Sequence, residues 1–378
     1  MVTTAKEERA AVSPNEIMKT VVASVSAIKK GPAPLRLYME ICARCGTCAS
    51  QCPVYVSTEE KEYNPCLRSD LIRSIYSKHA TLLGRLLSGF NGAQDFSDGE
   101  IKEWVQKFYE CTGCRRCATF CPFGIDNSVI TRKGRAIIHK LGLTPKRLLD
   151  VTAISLETGN TDGATGKAFI DVIEFLEEEM KEETGVDVPI PVDKVGAEVF
   201  FVPPSGDVLV KPEAIMGTAK IFYALGVDWT TSSKMFDGAN YGLFTGDDEA
   251  MKAENLNCIN EAKRLQCKVL MMGECGHAHR VMKFMMEKGK WWGELPFEIT
   301  NILEYTAQQI TENRLRLDPR KNRQPVTYHD PCNFGRSCGI VKEPRIIMKA
   351  ACADYREMTP SGAENWCCGG GGGLSAMD

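Results

Sequence analysis

The sequence predicts a multi-domain chain: a helical domain built on two cysteine runs, then an α/β domain with a mostly parallel sheet. Three observations predict it. A four-cysteine run occurs twice, sixty-nine residues apart, among residues that recur at helical spacing. From about residue 196, short apolar runs alternate with helical patterns, the signature of strands joined by crossover helices. Near the end, Cys332 precedes Cys367-Cys368 and five glycines, Gly369 to Gly373.

A chain of 378 residues has room for two or three domains. We expect a helical extension over 1–35, a helical two-cluster domain over 36–150, a helical linker over 151–195 and the α/β domain over 196–378. The apolar fraction of 43% is that of a soluble globular protein. A net charge of −3 gives no footprint for nucleic acid. No apolar run reaches the length of a membrane span, and Met1 to Ala10 has no signal-peptide character, so we expect a cytoplasmic protein. Seventeen cysteines in a reducing compartment then point to metal binding or redox chemistry, not to disulfides.

In chain order, Met18, Val21, Val22, Val25 and Ile28 form one stripe of a helix that Gly31-Pro32-Ala33-Pro34 ends. The stripe suits packing on its own domain; docking to a partner is the other reading. Cys42-x2-Cys45-x2-Cys48-x3-Cys52-Pro53 follows, and Cys111-x2-Cys114-x2-Cys117-x3-Cys121-Pro122 repeats it. This is the run of bacterial two-cluster ferredoxins, in which the fourth cysteine serves the other cluster. Cys42, Cys45, Cys48 and Cys121 are thereby assigned to one 4Fe–4S cube, and Cys111, Cys114, Cys117 and Cys52 to a second. Zinc would want two pairs of cysteines, not this doubled run. The fifty-eight residues between the runs read as helical, through Leu67, Leu71, Ile72, Ile75 and Leu82, Leu83, Leu86, Leu87, then Trp104, Val105 and Phe108. Cys66, within them, reads as core.

Residues 126–195 read as further helices, with Glu174 to Glu183 as a solvated face. Gly163-Ala164-Thr165-Gly166-Lys167 is not a phosphate loop, since Ala168 stands where a hydroxyl should bind magnesium. Strands follow at Val199–Val202, Val227–Trp229, Val269–Met272 and Val326–Tyr328, with helix faces marked by Ile215, Ala219, Phe222 and by Met251, Asn255, Cys258, Ala262, Leu265. Ligands in such sheets sit beyond the carboxyl ends of strands. Cys275 and Cys332 both fall at such ends, so a shared site for the two is an expectation. Adjacent thiolates beside glycine, which lets backbone close on a bulky group, suit an iron–sulfur assembly at Cys332, Cys367 and Cys368. Cys338 lies near this set; Cys258, Cys267 and Cys352 read as core. His277, His279 and above all His329 are candidates for proton delivery.

With both constellations in view, the chain resembles the catalytic iron–sulfur subunits of heterodisulfide-reductase type, of the DsrK and HdrD kind, from about residue 38 onward. The resemblance implies a Cys-Cys-Gly (CCG) domain whose motif has a leading cysteine, Cys-Cys-Gly and a closing Cys-x2-Cys, normally in two copies. In that family five cysteines per copy hold a noncubane 4Fe–4S cluster that cleaves a disulfide. Cys332, Cys367 and Cys368 match the second copy; its closing pair would lie beyond residue 378, so we expect a chain incomplete at its C-terminal end. The first copy is degenerate: Pro203-Pro204-Ser205 and Asn240-Tyr241-Gly242 replace its cysteines, and of its closing pair Cys275 stays while Ala278 replaces the other. The resemblance thus implies two cubes and, once the chain is completed C-terminally, one noncubane cluster, with Cys275 a ligand, a nearby thiol or a buried bystander; His329, from its place beside Cys332, is a proton-delivery or a structural hydrogen-bonding residue. It implies a disulfide/dithiol oxidoreductase on the inner face of the membrane, fed by a membrane-integral quinone or haem subunit. A small DsrC-like sulfur-carrier protein would be its substrate. The alternative is an electron-transfer subunit of a flavoprotein dehydrogenase, as in glycolate oxidase or anaerobic glycerol-3-phosphate dehydrogenase.

Overall fold

The computed structural model describes residues 13–86, 99–285 and 294–374. The reading of Met1 to Ala10 and the position of Leu87 fall outside these residues. The chain divides into two compact units, each discontinuous in sequence. The first comprises Met1–Leu148, Phe244–Asp247 and Cys367–Asp378; the second comprises Leu149–Leu243 and Asp248–Trp366.

The first unit is helical. Ser13 caps the helix Pro14–Ser26, its Oγ accepting from the Glu16 amide at 3.4 Å. Ile17, Val21 and Val25 are buried on it, and it packs on the helix Pro65–Ala80 of its own unit. Val21, Val25 and Ile28 of the expected stripe are therefore internal packing, whereas Met18 is exposed and Ile17 is buried in its place. Helix Pro65–Ala80 has a counterpart in Asn127–Lys140. Asn64 caps the first by accepting from the Cys66 amide at 2.9 Å, and Asp126 caps the second by accepting from the Ser128 amide at 2.9 Å. From Pro65 to Tyr76 and from Asn127 to Ile138 the sequence of buried, half-buried and exposed positions is identical. Two segments that share no obvious sequence thus occupy equivalent environments, as a duplicated architecture requires. Helix Glu100–Tyr109 lies against the second of them, where Gly134 leaves room: a Cβ there would meet the Phe108 ring at 2.6 Å.

The second unit has the expected α/β fold with other bounds: helix Gly166–Thr184, from the stretch expected as a linker, packs into its core, and residues 367–378 lie outside it. Strands β1 (Val199–Val202), β2 (Trp229–Thr230), β3 (Val269–Met272) and β4 (Glu298–Asn301) form a sheet in the order β2-β1-β3-β4, every pair parallel. Because successive strand residues point to opposite faces, Val199 and Phe201 enter one core while Phe200 and Val202 enter another. Helices Gly166–Thr184 and Glu213–Leu225 cover the first face, and Asp248–Arg264 the second. Such double coverage is why these strands read as continuous apolar runs. Helix Gly166–Thr184 buries Phe169, Ile173, Leu176 and Met180 and leaves its acidic face outside. Strands β5 (Pro325–Val326) and β6 (Asp354–Tyr355) form a separate parallel pair. No helix among the described residues is long and apolar enough to cross a membrane.

Candidate iron–sulfur centres

In the first unit, Cys42, Cys45, Cys48 and Cys121 line one recess of about 320 Å³. Cys52, Cys111, Cys114 and Cys117 line another of about 310 Å³. Each recess takes three cysteines from one run and the fourth from the other. The two loops repeat an unusual backbone. Arg44 and Gly46 flank Cys45 at φ +53° and +79°, and Gly113 and Arg115 flank Cys114 at +66° and +64°. Alternating right- and left-handed residues turn successive N–H groups into one concavity, a shape that binds anions and iron–sulfur clusters. Glycine takes that backbone freely, but an arginine does so at a cost of about 1–2 kcal/mol. Each strained arginine is anchored at its far end: Arg44 Nε donates to Asp70 at 3.0 Å and Arg115 Nε to Asp126 at 2.8 Å.

The donors fit a cluster. The eight cysteines of the two runs form no disulfide. Among the described residues no three Cys, His, Asp or Glu side chains converge on the point one metal ion needs. Four thiols lining one recess, three from one run and one from the other, match the four corners of a cube. Crowding without a cation also disfavours the thiolates. Burial and the neighbouring Cys111 and Cys114 push the Cys117 thiol well up, and burial raises Cys52. Such ligands deprotonate as the metal binds them. Beside the second recess, Arg68 is 1% exposed, and its buried Nε has no hydrogen-bond partner. An unsatisfied guanidinium N–H facing four thiols is what an anionic cluster would engage.

Cys66 is buried, as the core reading expects, and has a second feature. It lines the first recess with its Sγ 3.8 Å from Cys42 Sγ, and hydrogen bonding to it raises the Cys42 thiol and lowers Cys48. Its counterpart at the second recess is Ser128, at the same position after the cap. The readable signal was the repeated cap–x–Cys/Ser start of the two helices.

Cys367 and Cys368 belong to the first unit. Cys367 hydrogen-bonds the Cys114 thiol and, with burial, raises it. The glycine run presses on the second cysteine loop: a Cβ on Gly372, at φ +70°, would stand 2.2 Å from the Thr112 carbonyl oxygen. Arg135 locks this contact. Its guanidinium donates to the carbonyls of Phe108 (2.9 Å), Tyr109 (3.3 Å), Cys111 (2.6 Å), Phe244 (3.0 Å) and Gly372 (2.8 Å). Nothing in the sequence marked Arg135, because the segments it ties together are distant from it along the chain.

Cys332 and Cys275 lie in the second unit. Their loops touch: a Cβ on Gly276 would be 3.1 Å from Asn333 Cβ and 3.2 Å from the Phe334 amide, and Arg280 donates to Asn333 at 3.2 Å. Cys275 Sγ is 3.2 Å from His277 Nδ1. Burial pushes the thiol up to about 12 and the imidazole down to about 4, so the pair stays neutral. His329 is exposed, its Nε2 donating to the Trp366 carbonyl at 2.9 Å. The adjacent Asp330 is buried; it pairs with Arg345 (Nη2 to Oδ2, 2.6 Å) and accepts from the Gly362 amide at 2.6 Å. Arg336 holds the Asn365 carbonyl at 2.7 Å. These bonds fix the segment from Gly362 to Trp366. Cys258 and Cys267 are core, as expected, and Cys352 caps the helix Lys342–Ala351. Where a first Cys-Cys-Gly would stand, the protein satisfies itself without thiols: Asn240 Nδ2 donates to Met251 O at 2.8 Å and to Asn255 at 2.9 Å, while Glu254 accepts from the Tyr241 and Gly242 amides.

Residues 38–125 match the family described as a 4Fe-4S dicluster domain, and residues 326–378 the cysteine-rich domain family CCG. The chain is 31% identical to the Hdr-like menaquinol oxidoreductase iron-sulfur subunit of Archaeoglobus profundus, covering 91% of this chain and 68% of the relative. It is likewise 31% identical to iron-sulfur subunit 2 of the same type from Archaeoglobus fulgidus, over 90% and 68%. The HdrD protein of the dihydromethanophenazine:CoB–CoM heterodisulfide reductase of Methanosarcina barkeri is 27% identical, over 89% of this chain and 79% of that one. No solved structure matches the chain.

Proposed function

The chain belongs to the HdrD-like family of iron–sulfur subunits, and from that premise we propose that it carries electrons from a quinol-linked membrane partner to disulfide/dithiol chemistry at its CCG site. The observation that carries the proposal is the crossed gathering of eight cysteines into two recesses of nearly equal size. Cys42, Cys45, Cys48 and Cys121 would hold one cube, and Cys52, Cys111, Cys114 and Cys117 the other. Cys332, Cys367 and Cys368 would hold the substrate-reactive, noncubane centre, with Cys275 and His329 as accessory groups.

When bound, the clusters supply one-electron storage and the centre at which sulfur is handled. The chain supplies position. Arg135 fixes the glycine run beside the Cys111 loop, and Cys367 touches Cys114, so the C-terminal cysteine pair is coupled to the second recess. Cleaving a disulfide consumes two electrons and two protons and yields two thiols. His329, already held through Nε2 at the Trp366 carbonyl, would relay protons on the Cys332 side of the site. A membrane-integral quinone or haem subunit would supply the electrons, and a small sulfur-carrier protein of DsrC type the disulfide or trisulfide. The protein would then work peripherally on the inner face of the membrane.

A second reading, a pure electron-transfer subunit, is favoured by the Cys114–Cys367 contact, since a relay needs only that adjacency. Anaerobically purified holoprotein decides. The proposal expects iron and acid-labile sulfide above the eight of two cubes (two times four), with reduction of a carrier-protein disulfide by a chemical donor and no flavoprotein. Eight irons and no disulfide cleavage leave the relay alone. A colourless protein refutes both readings.

A further inference from the structure

We propose that the two cubes are unequal carriers: Arg68 and Arg135 make the second, held by Cys52, Cys111, Cys114 and Cys117, the more easily reduced. It is then the immediate donor to the C-terminal cysteine pair. The inference rests on the two-cube reading and extends it.

The duplicated helices place Arg73 opposite Arg135, Asp70 opposite Arg132, and Arg68 opposite Ile130. Near the first recess, Arg73 is neutralised by Asp70 at 3.1 Å, and Arg44, which shares that carboxylate, is mostly exposed and solvated. Near the second, Arg115 is paired with Asp126 at 2.8 Å, but Arg68 and Arg135 have no carboxylate partner among the described residues. Arg135 directs its guanidinium N–H groups at five backbone carbonyls, which screen its charge without cancelling it. Arg68 donates to the Tyr63 carbonyl at 3.1 Å and lines the second recess together with Cys52, Cys111, Cys114 and Cys117. Adding an electron to a cluster adds negative charge. Two buried, unneutralised guanidiniums therefore favour the reduced state of the second cube, and poor screening strengthens the effect. Among the described residues, the Cys66 thiol is the opposing feature at the first cube, lining its recess with Cys42 and Cys48. A thiol is a weak donor and carries no charge, so it does not offset two cations. The resulting order puts the higher potential where Cys367 touches Cys114.

The test is an EPR-monitored redox titration of the full-length holoprotein with iron counted in each sample. Wild type is expected to show two separable cube waves. Arg68→Met should move the higher wave to lower potential and leave the lower one in place, with iron unchanged; Arg68→Lys should restore most of the shift. Arg73→Met, at the neutralised counterpart, should leave the higher wave where it is. Unchanged iron with an unmoved higher wave in Arg68→Met overturns the inference, as does a shift of the lower wave instead. Wild-type protein with fewer than eight irons overturns the two-cube reading itself and the inference with it.

Discussion

Replacing Gly372 by alanine tests how the glycine run works. The residue holds φ +70°, and an added Cβ would stand 2.2 Å from the Thr112 carbonyl oxygen and 2.3 Å from its carbon. Backbone cannot yield as a flexible side chain would, so the run must lift from the second cysteine loop. The left-handed conformation costs an alanine about 1–2 kcal/mol, and overpacking costs typically about 1–3 kcal/mol. The docked state therefore loses about 2–5 kcal/mol. At about 1.4 kcal/mol per factor of ten, even the lower figure shifts the docked-to-lifted ratio roughly 30-fold. Gly369→Ala separates the contributions, because Gly369 has φ +87° but nothing within 4 Å of its would-be Cβ. Hydrogen exchange is the assay, read at the Leu374 amide, which donates to the Gly371 carbonyl at 3.2 Å, with iron counted in parallel. Gly372→Ala should exchange about 30-fold faster or more, with Gly369→Ala nearer to wild type. Wild-type protection in Gly372→Ala would refute the idea that close approach to Thr112 holds the tail.

Two further outcomes concern the second unit. Asp330→Ala strands the buried end of Arg345 and frees the Gly362 amide, so it should lower denaturant stability by about 3–5 kcal/mol, read from the unfolding midpoint; Arg345 keeps Glu357 at 2.8 Å, which places the loss toward the lower end. Burial, opposed by the Gly242 and Tyr241 amides, pushes Glu254 up to about 8 from an ordinary 4.5. The native state then binds a proton that the unfolded state has released across that window, so this contribution is full below pH 4.5 and is lost as pH rises through 8. The unfolding midpoint should fall between about pH 5 and 8 in wild type and stay flatter in Glu254→Gln; identical slopes would show that Glu254 is ionised throughout.

The parts of the site that depend on local spacing were legible in the sequence, and those that depend on long-range packing were not. The eight cysteines could be read because three ligands of each set come from one short loop, and the crossed fourth follows from the repeat. The α/β unit could be read because strands covered on both faces leave continuous apolar runs such as Val199–Val202. Its short strands are displaced by a residue or two: β2 begins at Trp229 and β5 ends at Val326, since pairing partners, not hydrophobicity alone, set where a ladder stops. Arg135 and Gly372 meet across 237 residues, a relation no periodicity encodes. Arg68 looks like any helical surface cation until the duplicated burial pattern shows that its position is an interior one, occupied by Ile130 in the other half.

That last substitution carries a wider point about duplicated cluster domains. Symmetric ligand loops by themselves would give two cubes with similar affinity for an electron and no preferred direction between them. Direction must come from residues that break the symmetry, and the least disruptive place to break it is a buried helix position that leaves every ligand in place. An isoleucine in one half and an arginine in the other meets that condition: both helices start from a side-chain cap, Asn64 or Asp126, both share one burial pattern, and the arginine adds a buried charge at an equivalent position. Exchanging the two residues, Arg68→Ile with Ile130→Arg, should therefore bring the waves together or invert them without loss of iron. A preserved order in a protein with full iron content would place the asymmetry outside these helices.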